Sequence, residues 1–344
     1  MKIALTGATG FLGRHVAVRL ANAGHEVVAI SRRGWESKSD ETVDGSGAIH
    51  SFQGDVTSQS EMEKAFGGCD VVVHAAGRVS HEPEDAGETW AVHFDGTETV
   101  VAAACAAGVG RFVHVSSSGT VAVSKDASFV GTEKSPDVLP VIQEWPYYRA
   151  KYFSEQVVLA ANGVASGDGT LTVVCLNPSL LLGPGDELGG GSTQCVQTFL
   201  DGSIPFPPPG SLSFVDVRDV AVAVEQALEN GEPGTRYLLG SANLGFRDFY
   251  DKLARITGKK APVGTLPRMT RSMLKFLPGL GKEDGIGVGT KITRSELELA
   301  CHNWSVDSAR AEEGLDWHPR DPLDTLSDTV HDIQQRRMQH FRMR

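Results

Sequence analysis

The chain has 344 residues, 40% hydrophobic and 22% charged, an ordinary globular composition with length enough to bury a core without staples. Its 32 Lys and Arg against 43 Asp and Glu give a net charge of −11, which excludes a generic nucleic-acid binder, because such a protein needs a basic surface to displace counterions from phosphate. The five cysteines, at 69, 105, 175, 195 and 301, contain no CxxC pair, so neither a metal site nor a disulfide scaffold is expected.

Lys2–Thr6 (KIALT) predicts a short strand ending at Gly7, so the N-terminus does not read as a signal peptide. Phe11, Leu12, Val16 and Leu20 recur at helical spacing, and Gly24 stands where that helix would stop. Glu26–Ser31 predicts a strand, followed by a polar loop from Arg32 to Gly47. Ser51–Asp55 reads as a weaker strand and Ser58–Gly67 as a helix. Val71–Ala75 is a β-branched strand closing on Gly77, and Glu88–Ala107 is an Ala- and Val-rich helix. Phe112–Ser116 reads as a strand, Pro146–Ala161 as a helix and Leu171–Leu176 as a strand. Six strands separated by helices or crossovers imply a mostly parallel sheet covered on both faces. Cys69, Cys105 and Cys175 fall in apolar runs and are expected as buried thiols. No apolar run reaches the ~18 residues of a membrane-spanning helix, and a reducing cytoplasm is the expected location.

The texture changes after Asn177, where Pro178, Pro184, Pro205, Pro207, Pro208, Pro209 and the 189–191 glycines shape loops. A strand and helix return over Phe214–Asn230, and Phe246–Thr257 predicts a helix. Met269–Leu277, with Arg268, Arg271 and Lys275, reads as an amphipathic helix over a cleft. Val306–Gly314 and residues 322–338 read as helices. Trp145, Phe206, Phe214 and Phe246 are candidates to line an apolar cleft.

Four signals carry chemistry. The run Gly7-Ala8-Thr9-Gly10-Phe11-Leu12-Gly13 follows the first strand and opens the first helix, where glycines let the backbone approach a dinucleotide pyrophosphate and free N–H groups receive it. After the second strand a NAD site would place an acid on the ribose. Here Ser31-Arg32-Arg33 offers a hydroxyl and two guanidiniums to a 2′-phosphate, which favours NADP, with NAD as the alternative. Asp55, beside Val56 after the third strand, is placed to accept from the adenine amino group. Tyr147 and Lys151 are four residues apart at the start of a helix whose first position is Pro146. An ammonium beside a phenol there is expected to lower the phenol pKa. Finally, Ser116-Ser117-Ser118 follows the fifth strand, at the strand end where ligands bind in such sheets.

As a set, these residues resemble the extended short-chain dehydrogenase/reductase family. The matching segments are Thr6–Gly13, Gly54-Asp55-Val56-Thr57, Asp70–Ala76, the serine run, and Tyr147 with Lys151. The branch it looks most like holds dihydroflavonol-4-reductase and 3β-hydroxysteroid dehydrogenase, through Arg32, the run Asn177–Asp186 and Phe214-Val215-Asp216-Val217-Arg218-Asp219-Val220. The resemblance implies an α/β Rossmann-type doubly wound parallel sheet over residues 1–177, with 211–230 returning to it, and a smaller α+β substrate-binding part over 178–344. It implies a catalytic Tyr147 and Lys151 with Ser118 as the catalytic hydroxyl, Ser117 being the alternative. It adds Ala75, Ala76, Gly77, Pro178 and Ser179 to the cofactor contacts.

The expected activity is hydride transfer between NADP and a ketone, aldehyde or secondary alcohol, with a small-molecule substrate and a homodimer built on the 88–107 and 147–161 helices. The rivals are a nucleotide-sugar epimerase or dehydratase and a non-enzymatic NADP sensor. One departure stands out: His93, in Val92-His93-Phe94-Asp95-Gly96-Thr97, replaces an Asn frequent in the family.

Overall fold

The strands, in chain order, are β1 (Lys2–Thr6), β2 (Glu26–Ser31), β3 (Ala48–Gln53), β4 (Val71–His74), β5 (Arg111–Val115), the short hairpin β6 (Ala165–Ser166) and β7 (Gly169–Thr170), β8 (Thr172–Pro178), β9 (Leu180–Leu182), β10 (Ser211–Asp216), β11 (Thr235–Leu239) and β12 (Ala242–Gly245). They come from a computed structural model that describes residues 1–38, 43–187, 191–204, 206–267 and 293–342. Seven of them form one sheet in the order β11-β8-β5-β4-β1-β2-β3, with every neighbouring pair parallel.

The inner strands are near-continuous apolar runs because both faces of a parallel sheet are covered. Alternation along β1 sends Ile3 and Leu5 to one face and Ala4 to the other. On the first face, α1 (Phe11–Asn22) and α8 (Val217–Glu229) bury Val16, Leu20, Val220 and Val224. On the second, α2 (Gln59–Phe66), α4 (Gly96–Ala106) and α6 (Pro146–Ala160) contribute Met62, Phe66, Val100 and Val158. A short helix α3 (Ala86–Trp90) runs into α4 through a π-turn, Ala91–Asp95. Another short helix, α5 (Leu139–Ile142), precedes α6.

Strand order reverses between β1 and β4: the chain moves outward through β2 and β3, then returns to the other side of β1. The crevice at that reversal, beyond the carboxyl ends of the strands, is where such sheets bind ligands.

Several boundaries differ from the sequence-based expectation. β3 begins at Ala48 rather than Ser51 and ends before Asp55. It is an edge strand, its register set by pairing with β2 from Glu26↔Ala48, and its apolar side chains are too sparse to mark its start. The short run Thr235–Leu239, not singled out as a strand, adds β11 beside β8. Within 211–230, α8 packs on α1, whereas β10 lies in a three-stranded sheet, parallel to β9 and antiparallel to β12. The reason is packing: Leu182, Leu212 and Phe214 join a separate core with Phe199 from α7 (Gly191–Leu200), Phe249 from α9 (Phe246–Thr257), and Leu326 and Val330.

Toward the C-terminus come α10 (Arg294–Ala300), α11 (Ala309–Leu315) and α12 (Pro322–Arg342). Val306 makes a bridge to Gly131 instead of opening α11. The amphipathic segment Met269–Leu277 lies outside the described residues. None of the five cysteines is in a disulfide, Cys69 and Cys175 being buried and Cys105 only half-buried. Among the described residues no helix is long and apolar enough to cross a membrane, and no group of side chains could hold a metal ion.

Candidate active site

The loop between β1 and α1 needs its glycines. Gly7 has φ +73°, and a Cβ there would come within 2.7 Å of the Ala75 carbonyl. A Cβ on Gly13 would lie 2.1 Å from the Gly7 carbonyl, so only glycine lets the helix close on the strand. Gly10 meets little beyond the Gly7 carbonyl and opens on a cavity of about 720 Å³. The first N–H groups of α1 have no intrahelical acceptors. This cradle of bare backbone and helix end is the donor set an anionic pyrophosphate requires, so the residues present fit a dinucleotide.

The cavity collects many of the expected residues. Gly7, Gly10, Phe11, Leu12 and Gly13 line it from the glycine loop, and Ala75 and Gly77 from the end of β4. Ser116, Ser117, Ser118, Tyr147 and Lys151 form its middle, with Pro178 and Ser179 beyond. Thr9, Ser31, Arg32, Arg33, Asp55, Val56 and Ala76 are not part of its wall. Arg32 and Arg33 are exposed at the end of β2, in a turn fixed by Ser31 Oγ donating to the Gly34 carbonyl (2.9 Å) and Gln53 donating to the Arg32 carbonyl (3.0 Å). Asp55 accepts from the Thr57 N–H (3.0 Å) and hydroxyl (2.8 Å). That backbone bond, helped by the Arg32 charge, holds its carboxyl below the usual range. Val56 packs against Gly96, and the Ala76 N–H donates to Thr6 Oγ1 (3.3 Å).

Of the cleft candidates, Phe206 and Phe246 reach the cavity. Trp145 instead packs with Val138 and Ile142, and Phe214 with Phe249.

Tyr147 and Lys151 project from the first turns of α6, both enclosed. Burial pushes the Tyr147 phenol up to about 12, with the Ser117 hydroxyl, close enough to hydrogen-bond it, pulling the other way. The expected lowering by Lys151 does not occur in this geometry. The Lys151 Nζ donates to the Val115 carbonyl (2.7 Å) and is itself pushed down to about 8 by burial, opposed by Glu155. Desolvation dominates, and Tyr147 is a protonated phenol at neutral pH. Ser117 also accepts from the Gly119 N–H (3.2 Å), capping the tight turn Ser118–Thr120. Ser118 lines the cavity from within that turn. The hydroxyl beside Tyr147 is therefore that of Ser117.

His93 lies on the π-turn, a distortion common at functional sites. Its Nε2 is 2.8 Å from the Arg78 carbonyl, its ring meets the Tyr147 ring edge-on at 5.3 Å, and burial drives its pKa to about 3. It leaves no room at Gly77, where a Cβ would lie 2.4 Å from its ring. In place of Asn it pins the loop after β4 as a neutral packing group.

Glu155 was missed by sequence reasoning. It is fully buried, one turn beyond Lys151, and accepts from the Ser116 hydroxyl, from Thr120 Oγ1 (2.8 Å) and from Asn177 Nδ2 (2.7 Å). Its other oxygen pairs with Arg236 Nε at 3.2 Å. One carboxylate thus ties α6 to the serine turn, β8 and β11. The only signal in the sequence is Lys151 and Glu155 at four-residue spacing, a pattern that ordinarily reads as a solvated helix pair.

Fold and site define a dinucleotide-dependent oxidoreductase scaffold of the extended short-chain type. The chain belongs to the NAD dependent epimerase/dehydratase family, whose sequence model matches residues 3–240. It is 27% identical to a candidate dihydroflavonol 4-reductase of Synechocystis sp. over 95% of this chain and 93% of that one. It is 30% identical to 2-alkyl-3-oxoalkanoate reductase of Stenotrophomonas maltophilia over 68% of this chain and 72% of the relative. Among solved structures, gox2253 superposes with a TM-score of 0.77 at 25% identity, covering 97% of this chain and 98% of that one.

Proposed function

We propose that the protein is an NADP-dependent reductase of apolar ketones or aldehydes, with the reverse oxidation of secondary alcohols at the same site. One observation carries this reading. Beyond Tyr147 the cavity is walled by Leu180, Ile204, Phe206, Phe246, Tyr250 and Trp304, and among the described lining residues Lys151 is the only Lys or Arg. A nucleotide sugar would bring a diphosphate needing cationic partners, and the one carboxylate among the described lining residues, Glu296, is partly enclosed and offers it none. The reading assigns residues 1–177, with α8 and β11, to the cofactor and most of 178–344 to the substrate.

When bound, NADPH supplies the hydride. The Gly7–Gly13 loop holds the pyrophosphate, Ser31, Arg32 and Arg33 the 2′-phosphate, and Asp55 and Val56 the adenine. Ala75, Ala76, Gly77, Pro178 and Ser179 flank the rest. Lys151 hydrogen-bonds the nicotinamide ribose, Tyr147 gives its phenolic proton to the carbonyl oxygen, and Ser117 hydrogen-bonds that oxygen as charge develops on it. A panel of ketones, aldehydes and nucleotide sugars, followed by loss of NADPH absorbance, tests the assignment. Net NADPH consumption with apolar carbonyls supports it, and turnover of a nucleotide sugar without net consumption contradicts it.

NADPH is expected to be preferred over NADH, with Arg32 carrying most of the difference. The cofactors differ by a phosphate, and a local cation must offset a net charge of −11. A charge-assisted hydrogen bond contributes ~1.5–3 kcal/mol, about 10- to 150-fold in affinity. Arg32→Ala should weaken NADPH by that factor and change NADH little, with Arg33 softening the loss. Equal loss of both cofactors, measured by fluorescence titration, would contradict it.

The pH profile follows from Lys151. Its ammonium is present below about 8 and lost above it, whereas Tyr147 stays protonated until about 12. kcat/KM for NADPH, which reports the free enzyme, should fall as pH rises through about 8. A profile flat to ~10 would contradict the role of the charge.

The reading includes a homodimer through α3–α4 and α6. Ala103 and Ala104 face the core, but Ala102 and Ala106 are exposed. Beside them Trp90, Phe94 and Phe153 form a half-exposed aromatic cluster, with Trp90 and Phe94 ring centres 4.6 Å apart. A monomeric mass at micromolar protein, by light scattering, would count against it.

A further inference from the structure

Lys151 and Glu155 stand one turn apart on the same face of α6, and both are buried. They clamp that helix to consecutive residues where β5 ends: the Lys151 Nζ donates to the Val115 carbonyl (2.7 Å), and the Ser116 hydroxyl donates to Glu155. The other partners of Glu155 are donors too. Thr120 Oγ1 and Asn177 Nδ2 serve the same oxygen, and Arg236 Nε lies 3.2 Å from the other. An ionised carboxylate accepts on both oxygens, whereas a protonated one must give a hydrogen. The set suits the anion.

What faces the Lys151 ammonium from the other elements is uncharged at neutral pH. Burial drives His74 on β4 and His93 on the π-turn down to about 3, and holds His114 on β5 well below the usual histidine range. On β8 the Cys175 thiol is pushed well above its ordinary value, and on α6 itself Tyr147 keeps its proton to about 12. Arg236, on β11, is a second cation and is paired with Glu155. Among these groups Glu155 is the one anion, and a buried ammonium without an anion is costly. Glu155 is not among the described residues of the cavity wall. Building on the reductase reading above, we propose that Glu155 is a positioning residue for hydride transfer, its carboxylate supplying the buried counter-charge that keeps Lys151 an ammonium, the form that holds the nicotinamide ribose. It acts through Lys151 and exchanges no proton with the substrate.

The test follows Lys151 directly, by NMR of the full chain labelled with carbon-13 at the lysine Cε, before cofactor is added, with Lys151→Arg identifying the signal. In the wild type it should titrate at about 8. Glu155→Gln removes the anion, so the amine should lose its proton about one pH unit lower, and the alkaline fall of kcat/KM for NADPH should move with it. Arg236→Gln removes the partner of the carboxylate but leaves the negative charge, so there the midpoint should stay or rise. A merely structural tie would move both variants in the same direction. The double variant Glu155→Gln/Arg236→Gln takes out the pair together, which a core tolerates better than one lone charge; it should also titrate lower, and it decides if Glu155→Gln does not fold. If the wild type reduces no carbonyl compound, the reductase reading fails and the NMR titration still decides on Glu155. A drop confined to the variants without Glu155 upholds the proposal. An unchanged midpoint without Glu155, or an equal drop in Arg236→Gln, overturns it.

Discussion

Tyr147→Phe is expected to abolish carbonyl reduction while leaving NADPH affinity within about twofold. Loss of a positioned general acid typically costs about 100- to 10,000-fold in rate. The phenyl ring keeps the edge contacts with His81, His93 and Tyr148, so the fold around it should not change. Burial holds the phenolic proton to about 12, so the group is in its proton-bearing form at neutral pH. Rapid-mixing kinetics with a good substrate, alongside a fluorescence titration of NADPH, separates the two quantities. Wild-type turnover in the Phe variant would remove Tyr147 from the reaction, and parallel loss of NADPH binding would make its role one of binding.

The second large effect distinguishes two neighbouring serines. Ser117→Ala should lower kcat by about 100- to 1,000-fold, the usual cost of removing one donor to a developing oxyanion. Ser118→Ala should cost much less. The sequence favours Ser118 by its place in the serine run, but the turn Ser118–Thr120 directs Ser117 toward Tyr147. Because Ser117 also caps that turn, Ser117→Thr serves as a control that keeps a hydroxyl and should retain most of the activity. The reverse order of effects would return the role to Ser118.

What could be read from the sequence was local. The glycine loop, α1 and the Tyr147–Lys151 helix are short-range patterns, and each residue type is demanded by its own turn or strand end. Their convergence on one cavity follows from a parallel sheet, whose strand ends gather at one edge. What escaped was long-range or a balance of opposing effects. Strand β11 opens on the polar residues Thr235 and Arg236 and so does not stand out, and its place beside β8 is settled only by the completed sheet. β10 went to the second sheet with Leu212 and Phe214 packed against α7 and α9, while Val215 on its other face joins the core of α1 and α8. Glu155 looks like half of a surface pair until β8 and β11 close over it, and His81 is an isolated histidine in a loop until Tyr148 stacks on it. The pKa of Tyr147 moved opposite to expectation because its enclosure, invisible in spacing, disfavours the phenolate.

The central claim is that a hydride leaves the protein on a reduced product. The most direct measurement follows deuterium from NADPH labelled at the transferring carbon, using an apolar ketone that the protein turns over. One deuterium should appear on the carbinol carbon of the released alcohol, and NADP⁺ should accumulate in equal amount. Label retained on the cofactor, or a nucleotide sugar isomerised or dehydrated with no net NADP⁺, would contradict the account.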